Sequence, residues 1–521
     1  MRRWFMRWVR RIVAVIAIVA ITFFGARVYE IEGGPPLQLW HSYIPREMTR
    51  AAMERADWAG YIAAEDAIFD GVRREVTEKL EPAQQVPSNR YFSGSPVNPG
   101  RFAQDWNRSF VLKPEGEPQG AAVFLHGLTD APYSLRHIAE DYRRHGFVAV
   151  GIRLPGHGTV PGGLTQVDWE DWTAATRLAV REAERLAGAG KPLHVIGYSN
   201  GGALALMYAL DAIENPKLSR PDRIVLMSPM VGVTRFARFA GLAGLPALLP
   251  PFAKAAWLNI LPEFNPFKYN SFPVNAARQS FLLSDALQRR IAELASAGRL
   301  TSLAPVLTFQ SVLDHTVSTR AIISALYDQL PANGSELVLF DLNRSSKVSP
   351  LLTQAADDTL EEILTPPPRR YRTSVLADAG GGSTNVFERV TDAGLSEART
   401  VPLGLTYPSD VYSLSHIAIP FPVSDGLYGT DPDPADDFGI QLGAMAERGE
   451  RGALIIGADT LMRMSSNPFY PYMIGRIDEG FAAVAAPPAA PAVQPAPATV
   501  PADEALPPVL APEEAVPSQA P

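Results

Sequence analysis

The chain contains no cysteine, which excludes disulfides, thiolate metal centres and thiol redox chemistry while agreeing with either redox compartment. Its eight histidines form no His-x-x-x-His or Glu-x-x-His pair, so a metal hydrolase is not expected and no metal ligand is assigned. A phosphate-binding loop is missing too. Gly380-Gly381-Gly382-Ser383 lacks the lysine and the helix such a loop needs, and reads as a flexible turn. Basic residues are not in excess: the net charge is −8 and the pI about 5.6, which gives no electrostatic footprint for nucleic acid. No cofactor is implied.

Long apolar runs are also scarce. The longest, Ile12 to Phe24, is broken only by Thr22 and follows Arg2, Arg3, Arg7, Arg10 and Arg11. Extended by Gly25 and Ala26, it still sits at the short end of the about 20 residues a spanning helix uses. Phe24 stands where a cleavage site needs a small residue, so residues 1–30 are expected to form an uncleaved signal-anchor, a transmembrane segment. Its arginines would keep the amino terminus cytoplasmic and put the rest of the chain on the extracytoplasmic side, the periplasm in a bacterial cell. Residues 481–521 are Ala/Pro-rich with few aromatics and read as an extended disordered tail that could meet an unidentified partner.

What is present is concentrated in the middle. Leu193-His194-Val195-Ile196-Gly197-Tyr198-Ser199-Asn200-Gly201-Gly202 reads as an apolar strand, a Gly-x-Ser-x-Gly turn and a helix. So sharp a turn needs glycine two residues either side of the serine, and it lifts one hydroxyl out of the sheet edge as a nucleophile elbow does. A serine hydroxyl is a poor nucleophile at neutral pH, so the reading requires a histidine base, an orienting carboxylate and oxyanion donors. Gly120–Leu125 is a second buried-strand pattern and runs into His126-Gly127-Leu128-Thr129. Phe147–Ile152 is a third and runs into Arg153-Leu154-Pro155-Gly156-His157-Gly158-Thr159. Pro305–Gln310 is a fourth, with Asp314-His315-Thr316-Val317 beyond it. Asp314 thus falls at a strand's carboxyl edge, where catalytic groups of open α/β sheets gather. Asp341, ending the run Glu336–Phe340, is the competing acid.

These segments together resemble the α/β-hydrolase superfamily, and within it the monoacylglycerol lipase, lysophospholipase and carboxylesterase branch. The Leu-Pro-Gly-His-Gly segment is the most branch-specific of them. The resemblance implies an α/β-hydrolase fold, a mostly parallel central sheet with helices on both faces, and a chain order of serine, acid, histidine. Only His315 and His416 lie beyond Ser199, and His315 adjoins the best acid, so the expected triad is Ser199, Asp314 and His416. Asp425 follows His416 and has the wrong order. The oxyanion hole is expected at the backbone amides of Leu128 and Asn200. His126 and His157 are read as loop-shaping residues.

The expected domains are a helical connector at 31–104, a hydrolase domain at 105–480 and the tail. Within the hydrolase domain a lid is expected at about 229–302, where Phe236 to Pro250 is strongly apolar. A further structured insertion is expected at about 343–411, since a loop of that length rarely lacks structure inside a compact domain. It separates His416 from the last expected strand. Asp436 to Gly480 is expected to be helical. The expected activity is serine hydrolysis of a carboxylic ester, with lipid-like esters favoured by the apolar lid and the anchor. A serine peptidase of the same fold and a non-catalytic anchored scaffold are the alternatives.

Overall fold

The computed structural model describes residues 2–232, 250–347, 349–352, 359–364, 368–380, 382–443 and 462–485, with positions 247, 455, 457 and 460 besides. Most of the apolar lid stretch Phe236 to Pro250, the first half of the helix signal at 353–364 and the tail beyond 485 lie outside the described residues.

Among the described residues the strands, in chain order, are β1 Phe110–Leu112, β2 Gly120–Leu125, β3 Phe147–Ile152, β4 Leu193–Tyr198, β5 Arg223–Met227, β6 Trp257–Asn259, β7 Phe272–Pro273, β8 Val306–Ser311, β9 Glu336–Phe340, β10 Arg372–Gly380, β11 Ser383–Thr391 and β12 Arg399–Thr406. Ten form one sheet in the order β1-β3-β2-β4-β5-β8-β9-β10-β11-β12, and β6 pairs with β7 apart from it. From β3 to β10 all neighbours are parallel; β1, β11 and β12 join antiparallel. Every residue of β2, β3, β4, β8 and β9 is buried, which is why these strands read as unbroken apolar runs: helices cover both faces. Val123, Val195 and Leu226 face the helices Trp169–Ala187 and Asn200–Glu214. Phe124, Ile196 and Val225 face the helices Arg136–Arg144 and Tyr470–Ala485. This is the α/β-hydrolase architecture, a mostly parallel sheet between helical layers.

The segment 343–411 extends that sheet. β10 pairs parallel with β9 in the register Arg372↔Glu336 through Leu376↔Phe340, and β11 and β12 follow as antiparallel neighbours. The Gly380–Ser383 turn joins β10 to β11. The chain then returns from β12 to the centre of the sheet's carboxyl edge with His416.

In the stretch where a lid is expected, the described part is packed against the core. The helix Val274–Ser296 lies on Asn200–Glu214, with Ser280 Oγ donating to Asn200 Oδ1 at 2.7 Å and Ser284 Oγ to the Met230 carbonyl at 2.8 Å. Ahead of it, buried Glu263 accepts the Asn270 and Ser271 amides at 3.0 and 2.8 Å.

The amino-terminal helix spans Arg2–Glu32. Among the described residues no helix is long and apolar enough to cross a membrane; the uncharged stretch of Arg2–Glu32 ends at Arg27. Of the stretch expected to be helical, 436–480, most of 444–461 lies outside the described residues; a helix starts at Tyr470 and runs to Ala485, into the stretch expected to be tail. Pro468 and Pro471 fix that start, because proline is tolerated only before a helix or in its first turn. Within the connector, the helix Trp58–Glu75 carries Glu65, which meets Arg153 of the Leu-Pro-Gly-His-Gly loop at 3.1 Å, while Glu47 meets the same guanidinium at 2.9 Å. Arg153 and Glu65 are 1% and 2% exposed, so this ion pair welds the connector to the loop.

Candidate active site

Ser199 sits between β4 and the helix Asn200–Glu214 with φ 54° and ψ −116°, a conformation most side chains avoid and one that persists only where the surroundings force it. The glycines show the forcing. A Cβ on Gly201 would lie 1.9 Å from the Leu125 carbonyl oxygen, and one on Gly197 would lie 2.4 Å from that of Gly201. The turn closes against the end of β2, which leaves no room for side chains at either position.

Beside the serine lies the loop that leaves β2. A Cβ on Gly127 would be 3.3 Å from the Ser199 Cβ, so Gly127 passes directly alongside it. Thr129 takes φ 61°, and its carbonyl accepts the Tyr269 amide at 2.7 Å; together these fix the loop. His126 holds it from within. Its Nδ1 donates to the Gly127 carbonyl at 2.9 Å and its Nε2 accepts the Leu154 amide at 3.0 Å. His157 is likewise buried and donates to the Pro155 carbonyl at 3.1 Å. Burial pushes the pKa of both rings down, that of His157 to about 3, which suits neutral loop-shaping residues.

His416 reaches Ser199. Its Nε2 lies 3.0 Å from Ser199 Oγ and its Nδ1 2.8 Å from Asp314 Oδ2. Asp314 is fixed in turn: Oδ1 accepts the amides of Thr316 and Val317 at 2.8 and 3.0 Å, and Oδ2 the Gln310 side-chain amide at 3.2 Å. Burial pushes the Asp314 carboxyl up, but the charge and hydrogen bond of His416, with the two turn amides, outweigh it and hold the group below its ordinary value. The competing Asp341 accepts from its own neighbours, the Leu342 amide at 2.7 Å and Arg344 at 2.7 Å. His315 is exposed. In this arrangement the Ser199 proton can pass to Nε2 while the carboxylate keeps Nδ1 protonated and steadies the imidazolium.

Several supporting residues were not visible in the sequence. Tyr198 donates to the His416 carbonyl at 3.3 Å, and its ring lies 5.4 Å from the imidazole. Ser415 Oγ donates to the Arg463 carbonyl at 2.7 Å, and Asn467 Nδ2 to that of Ile419 at 3.1 Å. Asp425 is fully buried; its oxygens meet Tyr133 at 2.9 and 3.0 Å, Arg136 at 2.5 Å and His137 at 3.0 Å. Nothing in local sequence announces these partners, because each bridges chain segments hundreds of residues apart or two tight turns.

A family model described as the alpha/beta hydrolase family matches residues 122–386. A thermostable monoacylglycerol lipase from Bacillus sp. (strain H-257) is 32% identical over 95 residues, which are 18% of this chain and 36% of that protein. The matched part thus spans about a third of that relative's length. Among solved structures, a soluble variant of monoglyceride lipase from Saccharomyces cerevisiae is 14% identical, with a TM-score of 0.34, over 44% of this chain and 81% of that one. The monoacylglycerol lipase of Paleococcus ferrophilus is 18% identical, with a TM-score of 0.33, over 45% of this chain and 88% of that one.

Proposed function

Because the chain belongs to the alpha/beta hydrolase family, we propose that it is a serine hydrolase that cleaves carboxylic esters through an acyl-enzyme on Ser199. The observation that carries the proposal is the hydrogen-bonded chain from Ser199 Oγ through His416 to Asp314, at 3.0 and 2.8 Å. His416 takes the serine proton as Oγ attacks the ester carbonyl, then delivers it to the leaving alcohol; in the second half-reaction it deprotonates water. Asp314 holds the tautomer that leaves Nε2 free to accept. The amides of Leu128 and Asn200 receive the oxyanion, and the approach of Gly127 to Ser199 supports that assignment. The scaffold alternative drew on the distance in sequence between His416 and Ser199, and the 3.0 Å contact removes that ground.

We assign lipid-like esters, monoacylglycerols or lysophospholipids, as the substrate class; the monoacylglycerol lipase of Bacillus sp. as a relative supports this. A fluorophosphonate probe should label the folded chain at Ser199 and leave Ser199→Ala unlabelled; a folded chain that does not react refutes the enzyme. A series of p-nitrophenyl esters of rising chain length, run beside an aminoacyl p-nitroanilide, should show turnover on the esters. Faster turnover of the anilide would make the chain a peptidase.

Membrane attachment through Arg2–Glu32, with the catalytic domain on the extracytoplasmic side, is a separate proposal. Exposed Trp4, Trp8, Ile12, Val15 and Ile18 on the arginine-rich helix support it. Fractionation of the full chain and of a form lacking residues 2–32 tests it: attachment requires that only the full chain pellet with membranes.

A further inference from the structure

Away from the serine, two carboxylates and an imidazole converge. Asp141 and His145 lie one turn apart at the carboxyl end of the helix Arg136–Arg144, and Asp478 comes from the helix Tyr470–Ala485. One ligand atom from each lies within 4.8 Å of the other two. The helix Arg136–Arg144 runs back from the carboxyl edge of the sheet to the start of β3, and Arg223 at the start of β5 donates to the Arg476 and Ile477 carbonyls beside Asp478. The cluster therefore lies at the sheet's amino edge, opposite the edge that carries Ser199.

Two observations separate it from an ordinary ion pair. The first is a matched set of unsatisfied oxygens. Asp141 is 4% exposed and its Oδ2 meets no hydrogen-bond donor; Asp478 Oδ1 is buried and also meets none. These are the oxygens that face the ring, Asp141 Oδ2 at 3.6 Å from Nδ1 and Asp478 Oδ1 at 3.9 Å from Nε2. Arg144 reaches only the other oxygen of Asp141, at 2.7 Å. Two carboxylates this close, each with a buried oxygen that meets no donor, repel unless a proton or a cation lies between them.

The second observation is the tautomer of His145. Its Nδ1 lies 3.0 Å from the Asp141 carbonyl oxygen, which can only accept, so Nδ1 carries the proton and Nε2 presents its lone pair towards Asp478. A backbone carbonyl that fixes one nitrogen and frees the other is how proteins orient imidazole ligands.

We propose that Asp141, His145 and Asp478 bind a divalent transition-metal ion, zinc by this mixture of imidazole and carboxylate, with solvent completing the coordination. Bond lengths of about 2.0–2.2 Å put tetrahedral ligand atoms about 3.4 Å apart, so the three ligand atoms, within 4.8 Å of one another without the ion, draw together on binding. The partly exposed His145 side chain leaves a path for the ion and room for water. The bound ion staples the last helix to Arg136–Arg144. It takes no part in chemistry at Ser199, so the site stands or falls independently of the proposed reaction.

The full chain, freed of metal by a chelator, is titrated with Zn²⁺ by calorimetry and thermal melting. One equivalent should bind and raise the Tm, with p-nitrophenyl ester hydrolysis unchanged. His145→Gln and Asp478→Asn should each weaken binding by more than about tenfold while hydrolysis is retained. Mg²⁺, which favours all-oxygen octahedral sites, should not substitute. Absence of zinc binding, or equal affinity in both variants, overturns the site. A Tm that rises in Asp478→Asn while the wild-type chain takes up no zinc identifies a carboxyl pair sharing a proton instead.

Discussion

Asp425 accepts the Tyr133 hydroxyl on its two oxygens at 2.9 and 3.0 Å, across 292 positions of sequence. Tyr133 lies just beyond the His126–Thr129 loop, and Asp425 just beyond His416, so the bond joins the proposed oxyanion loop to the segment that bears the histidine. Arg136 adds pairs to Asp425 and Asp436, and the Tyr133 ring stacks on Phe267 with centroids 4.0 Å apart. The relationship explains how a histidine that follows three extra strands returns to a fixed place.

Asp425→Ala should therefore cost both stability and turnover. It strands Arg136, which is 5% exposed, and breaking a buried pair costs about 3–5 kcal/mol. Burial pushes the Asp425 carboxyl up, but the charges of Arg136 and His137 and the Tyr428 amide outweigh it and hold it far below the usual range. A carboxyl lowered on folding stabilises the protein above its unfolded value of about 3.9 and loses that contribution as pH falls below it. Thermal melts from pH 7 down to pH 3 should show the wild-type advantage shrinking towards the acid end. A constant gap between the two curves would rule out a charge-based clamp.

Gly201→Ala should fail at the level of folding. Its Cβ would meet the Leu125 carbonyl oxygen at 1.9 Å, a clash with backbone that no rotamer relieves, so β2 and β4 cannot both keep their places. The expected result is loss of soluble protein or a large drop in Tm. A variant with the wild-type Tm would mean that the elbow is looser than described.

Arg153→Ala tests the junction between connector and core. Its removal leaves the carboxylates of Glu65 and Glu47 without their cation; Glu65 keeps only the Ser109 amide and hydroxyl. The penalty is again about 3–5 kcal/mol. Limited proteolysis should cut within residues 31–104 far faster in the variant, and equal protection would show that the connector is held by its apolar contacts alone.

The parts of the fold that were legible in the sequence rest on local constraint. The Gly197 and Gly201 spacing, the apolar runs of β2, β3 and β4, and the order of Ser199, Asp314 and His416 are each one-dimensional patterns, and the structure brings those three side chains together. What stayed hidden depends on pairing at a distance. β10 to β12 read as an insertion because extension of a sheet is decided by which edge is free, which no window of sequence reports. The run Gly380-Gly381-Gly382-Ser383 reads as a flexible turn, and Gly382, at φ 85°, lies in the turn between β10 and β11. Asp425 has the wrong chain order for the acid of the triad, and its role comes from Arg136 and Tyr133, far away in sequence. The Asp141-x-x-x-His145 pair carries no signal of its own, since it is neither a histidine pair nor Glu-x-x-His, and its third member, Asp478, lies on the last helix.

Asp314→Asn gives the sharpest test of the proposed reaction. The two turn amides of Thr316 and Val317 both point at Oδ1, so an asparagine must place its carbonyl oxygen there to keep them bonded. Its NH₂ then occupies the position of Oδ2, 2.8 Å from His416 Nδ1. A donor in that position can bond only to an unprotonated Nδ1, which moves the imidazole proton to Nε2 and faces it towards Ser199 Oγ. The base is then the wrong tautomer to accept the serine proton, although every heavy atom can stay in place. The expected outcome is a fall in kcat of about 10⁴ with little change in KM or Tm, measured on a short-chain p-nitrophenyl ester. Turnover within about tenfold of wild type would show that the carboxylate does not set the tautomer, and Asp314 would lose its assigned role while Ser199 and His416 kept theirs.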